Sequence, residues 1–206
     1  AMNQPPVSRA TMGRLPLYLR YLQSIRDHSE NTSAAALSRA LGLGEVQVRK
    51  DLSAVSGAGR PKIGYNTAEL SDAIAAYLTR TAADGGVILI GAGKLGRALL
   101  DYGGFNDYGL DIDAAFDIDV PELVHSHSGK PNLPKADLDE YCARHTPVIG
   151  IITVPANAAQ KVCDRLLANG IRAIWCFAPC TLTVPENIPV QYENMALSLA
   201  YLRKLI

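Results

Sequence analysis

"GGVILIGAGKLGRAL", residues 85–99, decides the fold. Four apolar residues, Val87 to Ile90, run without interruption into Gly91-x-Gly93-x-x-Gly96, and an apolar helix follows at once. An apolar strand, a glycine turn and a helix in that order open a parallel α/β sheet and shape it around a dinucleotide. Gly91 permits the tight turn, Gly93 lets the backbone approach a pyrophosphate, and Gly96 lets helix pack closely on strand. The helix start turns unpaired N–H groups toward the anion. The cradle is therefore expected to be Gly91, Ala92, Gly93, Lys94, Leu95 and Gly96.

Downstream, strand and helix patterns continue to alternate. Strands are predicted at 86–90, 111–117, 147–153, 171–175 and 188–191, and helices at 94–102, 137–144, 156–168 and 194–204. The second strand ends in Asp117, 21 residues beyond Gly96, where an acid is expected to accept from the adenosine ribose hydroxyls. A carboxylate there repels a 2′-phosphate, so NAD(H) is expected over NADP(H). Ile118 adjoins it, and Asp119 is the alternative acid. Thr153-Val154-Pro155 and Phe177-Ala178-Pro179 follow later strands. In open α/β sheets ligands bind at those strand ends, so both stretches are read as walls of the nicotinamide half.

Upstream the pattern is helical. Residues 8–27 form a first helix with Leu15, Leu19 and Leu22 on one stripe, Tyr18, Tyr21 and Ile25 beside it, and Pro16 near the first turn of the main run. Thr32 or Ser33 caps a short second helix ending at Leu41. Gly42-Leu43-Gly44 turns the chain into a third, beginning at Glu45. Two helices joined by a short glycine-bearing turn make a helix-turn-helix. Val46, Val48, Leu52 and Val55 are expected to face its core, leaving Gln47, Arg49, Lys50 and Ser53 outward. The stretch 57–65 suits a tight hairpin with Arg60 and Lys62 near its tip and Tyr65 at its end. That is a winged helix-turn-helix, joined to the sheet by a helix over 67–81 that Asp84-Gly85-Gly86 breaks. The division expected is 1–82 for the DNA-binding module and its connecting helix, 83–190 for the Rossmann-type domain, and 191–206 for a terminal helix. That last helix is apolar on more than one side and needs a partner to cover it.

Charge supports this division. Residues 1–65 hold nine Lys/Arg against four Asp/Glu, while residues 66–206 hold eleven against sixteen, on a chain of zero net charge. A basic N-terminal part suits a polyanion. No run is long and apolar enough to span a membrane, and residues 1–14 contain no apolar core of a secretory signal, so a cytoplasmic protein is expected. Cys142, Cys163, Cys176 and Cys180 fit no zinc spacing and are expected to be reduced. Cys176 and Cys180 are either packing residues or a redox pair. His125 and His127 lie in a polar loop without an acidic or cysteine companion, so no metal is expected. His28 belongs to the N-terminal module, and His145 precedes a strand at the end away from the cofactor. No general acid or base is placed to serve a nicotinamide. A sensor is expected rather than an enzyme.

The stretches "RLPLYLRYL" (14–22), "VQVRKDLS" (46–53), "GYN..EL" (64–70), "IGAGKLGRAL..Y.GF" (90–105), "AAFDID" (114–119), "TVP...AQK" (153–161), "GIRAIWCFAP" (170–179) and "VPENI" (184–188) together resemble the Rex family of redox-sensing transcriptional repressors over nearly the whole chain. The resemblance implies a homodimer that exchanges its C-terminal helix and binds double-stranded DNA at a palindromic operator. It implies that NAD⁺ permits DNA binding and NADH releases it. It places DNA contacts on Gln47, Arg49 and Lys50, with Arg60 and Lys62 on the wing. The redox switch it implies comprises Tyr102, Arg20 and an acid before the last helix, a position held here by Asn194 with Glu193 adjacent. The chain departs from the family pattern in two more places: Val55-Ser-Gly-Ala-Gly replaces F-G-x-F-G at the wing, and Cys176 replaces the asparagine of "NFAP". A paralogue with altered nicotinamide sensing, a small NAD-dependent oxidoreductase with a fused helical module, and a cofactor-free DNA binder are the other readings.

Overall fold

A computed structural model describes residues 7–80, 85–120 and 122–206, and the chain divides into two compact units, Ala1–Ala82 and Ala83–Ile206. The predicted boundary after residue 82, the last residue of the 67–81 helix and the break at Asp84 lie outside the described residues.

In the first unit, α1 (Arg9–Ile25) starts at Ser8, whose hydroxyl accepts from the Thr11 N–H at 3.1 Å. The helix runs unbroken from its expected start, so Pro16 stands inside it and not near the first turn of a main run. An interior proline costs about 3 kcal/mol. Burial of Leu15, Tyr18, Leu19 and Leu22 offsets that, at roughly 1.5–3 kcal/mol for each large apolar side chain. α2 (Ala34–Leu41) is capped by Ser33 and ends at Gly42, whose left-handed φ of 65° turns the chain toward α3 (Glu45–Ser56). Thr32 takes a different role from the cap considered for it. It lies in β1 (Asn31–Thr32), paired antiparallel with β2 (Tyr65–Asn66). Between α3 and β2 the wing folds back on itself, with the Arg60 N–H donating to Gly64 O at 2.7 Å and the Gly64 N–H to Arg60 O at 2.8 Å. α4 (Thr67–Arg80) buries Leu70 and Ile74. Val48 and Leu52 of α3 are fully buried. Val46 is 64% exposed, a correction to its expected core position. It lies two residues before Val48, about 200° around a helix, and so shares the outer face with Gln47, Arg49 and Lys50.

The second unit is a seven-stranded sheet. Its strands are β3 (Val87–Ile90), β4 (Ala114–Asp117), β5 (Val124–His125), β6 (Pro131–Pro134), β7 (Ile149–Ile152), β8 (Ala173–Cys176) and β9 (Val190–Tyr192), in the order β5-β6-β4-β3-β7-β8-β9. All neighbours pair in parallel except β5 with β6. From β3 the chain builds outward through β4 and β6, then returns to the other side of β3 with β7. Such a switch of direction opens a crevice at the carboxyl ends of the central strands. Alternate residues feed two cores. Ile88, Ile90, Phe116 and Ile152 pack with Leu138, Val162, Cys163 and Leu166 from α6 (Leu138–His145) and α7 (Ala156–Ala168). Leu89, Ala115 and Ile151 pack on the other face with Leu100 of α5 (Lys94–Leu100), Phe105, Trp175 and Phe177.

The polar loop expected around His125 and His127 is in fact a hairpin. β6 adds to the sheet edge beside β4, and β5 folds back on it. With Leu133 the one large apolar residue in Pro131–Pro134, this strand is held by backbone pairing and leaves no alternating pattern to detect. Asp101 braces the turn, accepting from the Ser128 N–H at 2.9 Å and the Ser128 hydroxyl at 2.6 Å. Cys142, Cys163 and Cys176 are buried and Cys180 is half-buried; burial pushes the Cys163 thiol up to about 11. Among the described residues no helix is long and apolar enough to cross a membrane, and no three His, Cys, Asp or Glu side chains are placed to hold a metal.

Candidate functional site

The crevice at the carboxyl ends of β3, β4 and β7 is a cleft of about 280 Å³. It gathers Gly91, Gly93, Asp117, Ile118, Thr153, Val154 and Pro155 from stretches more than sixty residues apart, together with Asp119, Lys135 and Ala158. Its floor is shaped by missing side chains. A Cβ on Gly96 would lie 2.0 Å from Gly91 O, and Gly91 holds a φ of 106° with Val154 closing over it. A Cβ on Gly93 would meet nothing within 4 Å, so the backbone there borders open space. Gly93 is the N-cap of α5 and provides no side-chain cap to the first-turn N–H groups. Open space beside a glycine backbone, at a helix start without a side-chain cap, fits a pyrophosphate.

Asp117 ends β4 at the cleft mouth, where one carboxylate oxygen accepts from the Asp119 N–H at 3.1 Å. Both candidate acids therefore line one wall. Thr153 ties two strands together: its hydroxyl donates to Gly91 O at 2.6 Å and Ile90 O at 3.1 Å. With its proton engaged there, Thr153 meets a ligand as an acceptor. Ala92 and Gly96 are buried behind the turn, and Lys94 and Leu95 stand on the first turn of α5. Phe177, Ala178 and Pro179 follow β8 and do not line this cleft. Phe177 instead continues an aromatic run, with ring centroids at 4.7 Å to Trp175, 6.1 Å from Trp175 to Phe105, and 5.1 Å from Phe105 to Tyr102. Tyr102 itself is 56% exposed. The Trp175 indole N–H donates to Glu193 at 3.4 Å, next to Asn194, whose side chain caps the last helix by accepting from the Leu197 N–H at 3.0 Å. Lys135 escaped the sequence reading because it belongs to the connection after β6, the strand that pattern did not reveal.

The first unit presents a different surface. Gln47, Arg49 and Lys50 are exposed on α3, and Ser53 is half-buried behind them. Arg49 pairs with Glu45 one turn earlier. Arg60 and Lys62 stand exposed on the wing, while the ring of Tyr65 packs beneath it against Gly59. A groove of about 450 Å³ separates wing from helix, lined in part by Glu45, Arg49, Ser53, Arg60 and Lys62. Arg20 is exposed on α1. Beneath this surface lies a residue that sequence pattern missed: Asp51, 2% exposed. It accepts hydrogen bonds from Thr11 at 3.0 Å, Tyr18 at 2.7 Å, Gln47 at 2.9 Å and Arg14 at 2.7 and 3.1 Å. Burial alone would raise the Asp51 pKa, but these donors outweigh it and bring it down to about 2. Tyr18, buried and bound to that carboxylate, is pushed up to about 12.

The terminal helix α8 (Met195–Lys204) has no buried residue; Leu197, Leu199, Tyr201 and Leu202 are 59–69% exposed.

Known proteins resemble this chain along its length. A family described as a CoA binding domain matches residues 82–180, and one described as a DNA-binding protein N-terminus matches residues 6–53. A redox-sensing transcriptional repressor Rex from Porphyromonas gingivalis is 40% identical over 196 residues, covering 94% of this chain and 89% of the relative. A Clostridium kluyveri protein of the same description is 37% identical over 202 residues, covering 97% and 95%. Among solved structures, RSP in complex with β-NAD⁺ and operator DNA superposes with a TM-score of 0.84 at 31% identity, covering 98% of this chain and 93% of that one.

Proposed function

The chain belongs to the Rex family of redox-sensing transcriptional repressors, and from that premise we propose how its residues divide the work. It is a DNA-binding repressor that responds to NAD(H). When bound, the cofactor supplies the redox-dependent charge of its nicotinamide ring. Gly91, Ala92 and Gly93, with the N–H groups of Lys94, Leu95 and Gly96, hold the pyrophosphate. Asp117, beside Ile118, accepts from the adenosine ribose hydroxyls. Thr153, Val154 and Pro155 of the cleft, and beyond its rim Phe177, Ala178 and Pro179 at the end of β8, form the surroundings of the nicotinamide half, whose apolar surface favours the uncharged, reduced ring.

On DNA, Gln47, Arg49, Lys50 and Ser53 of α3 meet the major groove while Arg60, Lys62 and Tyr65 of the wing meet the backbone beside it. Two chains joined through an exchanged α8, whose apolar surface then becomes an interface, match a palindromic operator. Tyr102, Arg20 and Asn194 relay nicotinamide state, NAD⁺ permitting operator binding and NADH releasing it. Such release needs differential affinity, and a hundredfold preference of NADH for the released state corresponds to ~2.7 kcal/mol. We assign the protein to the cytoplasm and to sensing rather than turnover: the titratable side chains lining the cleft are Asp117, Asp119 and Lys135, and we give the acids to the ribose.

The observation that carries this reading is the glycine-floored cleft with Asp117 at its mouth, in one chain with a helix-turn-helix whose third helix displays Arg49 and Lys50. Gel shift on a palindromic operator library with NAD⁺, with NADH and without cofactor tests it. Retention with NAD⁺ and release with NADH are expected; equal effects would remove the redox sensor and leave the repressor. Coenzyme A is a second ligand to weigh, because a CoA binding domain matches residues 82–180 and Lys135 lines the cleft. Its ribose carries a 3′-phosphate, which Asp117 and Asp119 would repel, so calorimetric titration is expected to give weaker binding of CoA than of NADH.

A further inference from the structure

Gln47 has two unlike ends. Its amide nitrogen donates and its carbonyl oxygen accepts, and at the outer face of α3 that difference separates one base from another. The nitrogen donates to Asp51 Oδ1 at 2.9 Å. Asp51 is one turn away on the same helix, fully surrounded, and already holds Thr11, Arg14 and Tyr18 of α1. A carboxylate accepts and never donates, so whatever faces it must turn a donor inward. Packing α1 on α3 does not require this arrangement. Well-packed apolar residues of similar volume commonly match or exceed a buried ionic cluster in stability. They would leave the Gln47 carboxamide free to flip.

We propose that Asp51 is a specificity-positioning residue: by holding the Gln47 amide nitrogen it fixes the carboxamide with its oxygen outward. Helix α3 then offers an acceptor and one remaining N–H at this position. That pair matches the 6-amino group and N7 of adenine. It mismatches guanine, whose O6 and N7 both accept. The inference rests on reading α3 as the groove-reading helix, and it assigns to a residue that touches no DNA a say in which base is chosen.

Binding-site selection with the full chain and NAD⁺ tests it. The base position read by Gln47 is the one whose preference Gln47→Ala abolishes, and adenine is expected there. Asp51→Asn keeps the shape, but its amide can face Gln47 with a donor and turn that carboxamide over. The adenine preference should then fall about tenfold, while affinity for operators averaged over that position changes little. In the Gln47→Ala background Asp51→Asn should no longer alter the profile, which a general loss of structure would not reproduce. An operator with purine in place of that adenine probes the outward oxygen without touching Asp51. It should bind the unmodified protein about tenfold more weakly and Gln47→Ala no differently from adenine. This arm stands even if Asp51→Asn does not fold. An unaltered base profile in folded Asp51→Asn, or no loss on the purine operator, would overturn the proposal alone. No sequence preference at any position in the unmodified protein would overturn the reading of α3 together with it.

Discussion

Asp51 in the N-terminal unit gathers donors from four side chains, whereas Gly91, Gly93 and Gly96 in the C-terminal unit contribute no side chain at all. In the function proposed above, both arrangements prepare a surface for a phosphate-bearing ligand, by opposite means. A groove-reading helix must display long side chains in defined orientations, and that takes a polar support beneath them. A dinucleotide cradle must bring backbone N–H groups within reach of an anion, and that takes the removal of every Cβ in the way. The first is vulnerable to loss of a partner, the second to gain of an atom.

The contrast is most severely tested by adding one methyl group. In Gly96→Ala the new Cβ falls 2.0 Å from Gly91 O, a backbone atom that cannot swing aside. A stability loss of ~3 kcal/mol in the C-terminal unit is expected, together with loss of the thermal shift that NADH confers on the unaltered chain. A variant that keeps its NADH-induced shift would show that the turn has slack.

Acid tests the other unit. The Asp51 carboxyl has a folded pKa of about 2, below its ordinary value near 4 in an unfolded chain. A depressed acid contributes stability that is fully present above its unfolded pKa and is lost as pH falls toward the folded one. A loss of ~2.5 kcal/mol, spread between about pH 5 and pH 1, is therefore expected from this residue. Denaturant unfolding followed against pH should show that slope for the unaltered chain and a flatter one for Asp51→Asn. Equal slopes would remove Asp51 from the account of stability.

Asp117→Ala sharpens the comparison from the side where the cleft does use a side chain. About tenfold weaker NADH binding is expected, near 1.4 kcal/mol, with a smaller penalty for NADPH than before. Calorimetric affinities for both cofactors check it, and Asp119→Ala decides between the two acids. The smallest effects are expected at the exposed basic residues of α3. Arg49→Ala or Lys50→Ala should each weaken operator binding and lower the slope of log K against log salt by about one. The Arg49 pair with Glu45 is exposed, so its loss should leave thermal stability within about 0.5 kcal/mol.

Legibility in the sequence followed the range of the interactions involved. Gly91-x-Gly93-x-x-Gly96 and Asp117 announced the cleft because turn, strand and helix are local decisions, and five strands showed as apolar runs. Val46 reads as core because an apolar residue near Val48 and Leu52 looks like part of their stripe, yet its angle around the helix puts it outside. The start of α1 at Ser8 agrees with the predicted 8–27 span, but Pro16, expected near the first turn of a main run, stands inside one unbroken helix because the buried stripe around it holds the turns together. β5 and β6 left no alternation, since Pro131–Pro134 is recruited by the open edge of β4 rather than by its own composition.

What the sequence determined by itself, then, was the order of strand, glycine turn and helix, the acid at the end of the second strand, and a basic helix-turn-helix ahead of them. Each depends on the steric freedom or the periodicity of a few neighbouring residues. What only the tertiary structure decided was that Lys135 joins the cleft and that Asp51 meets Thr11, Arg14 and Tyr18 from a helix 33–40 residues away. Those contacts form only when whole elements dock, because a buried carboxylate takes its donors from whichever surface closes over it.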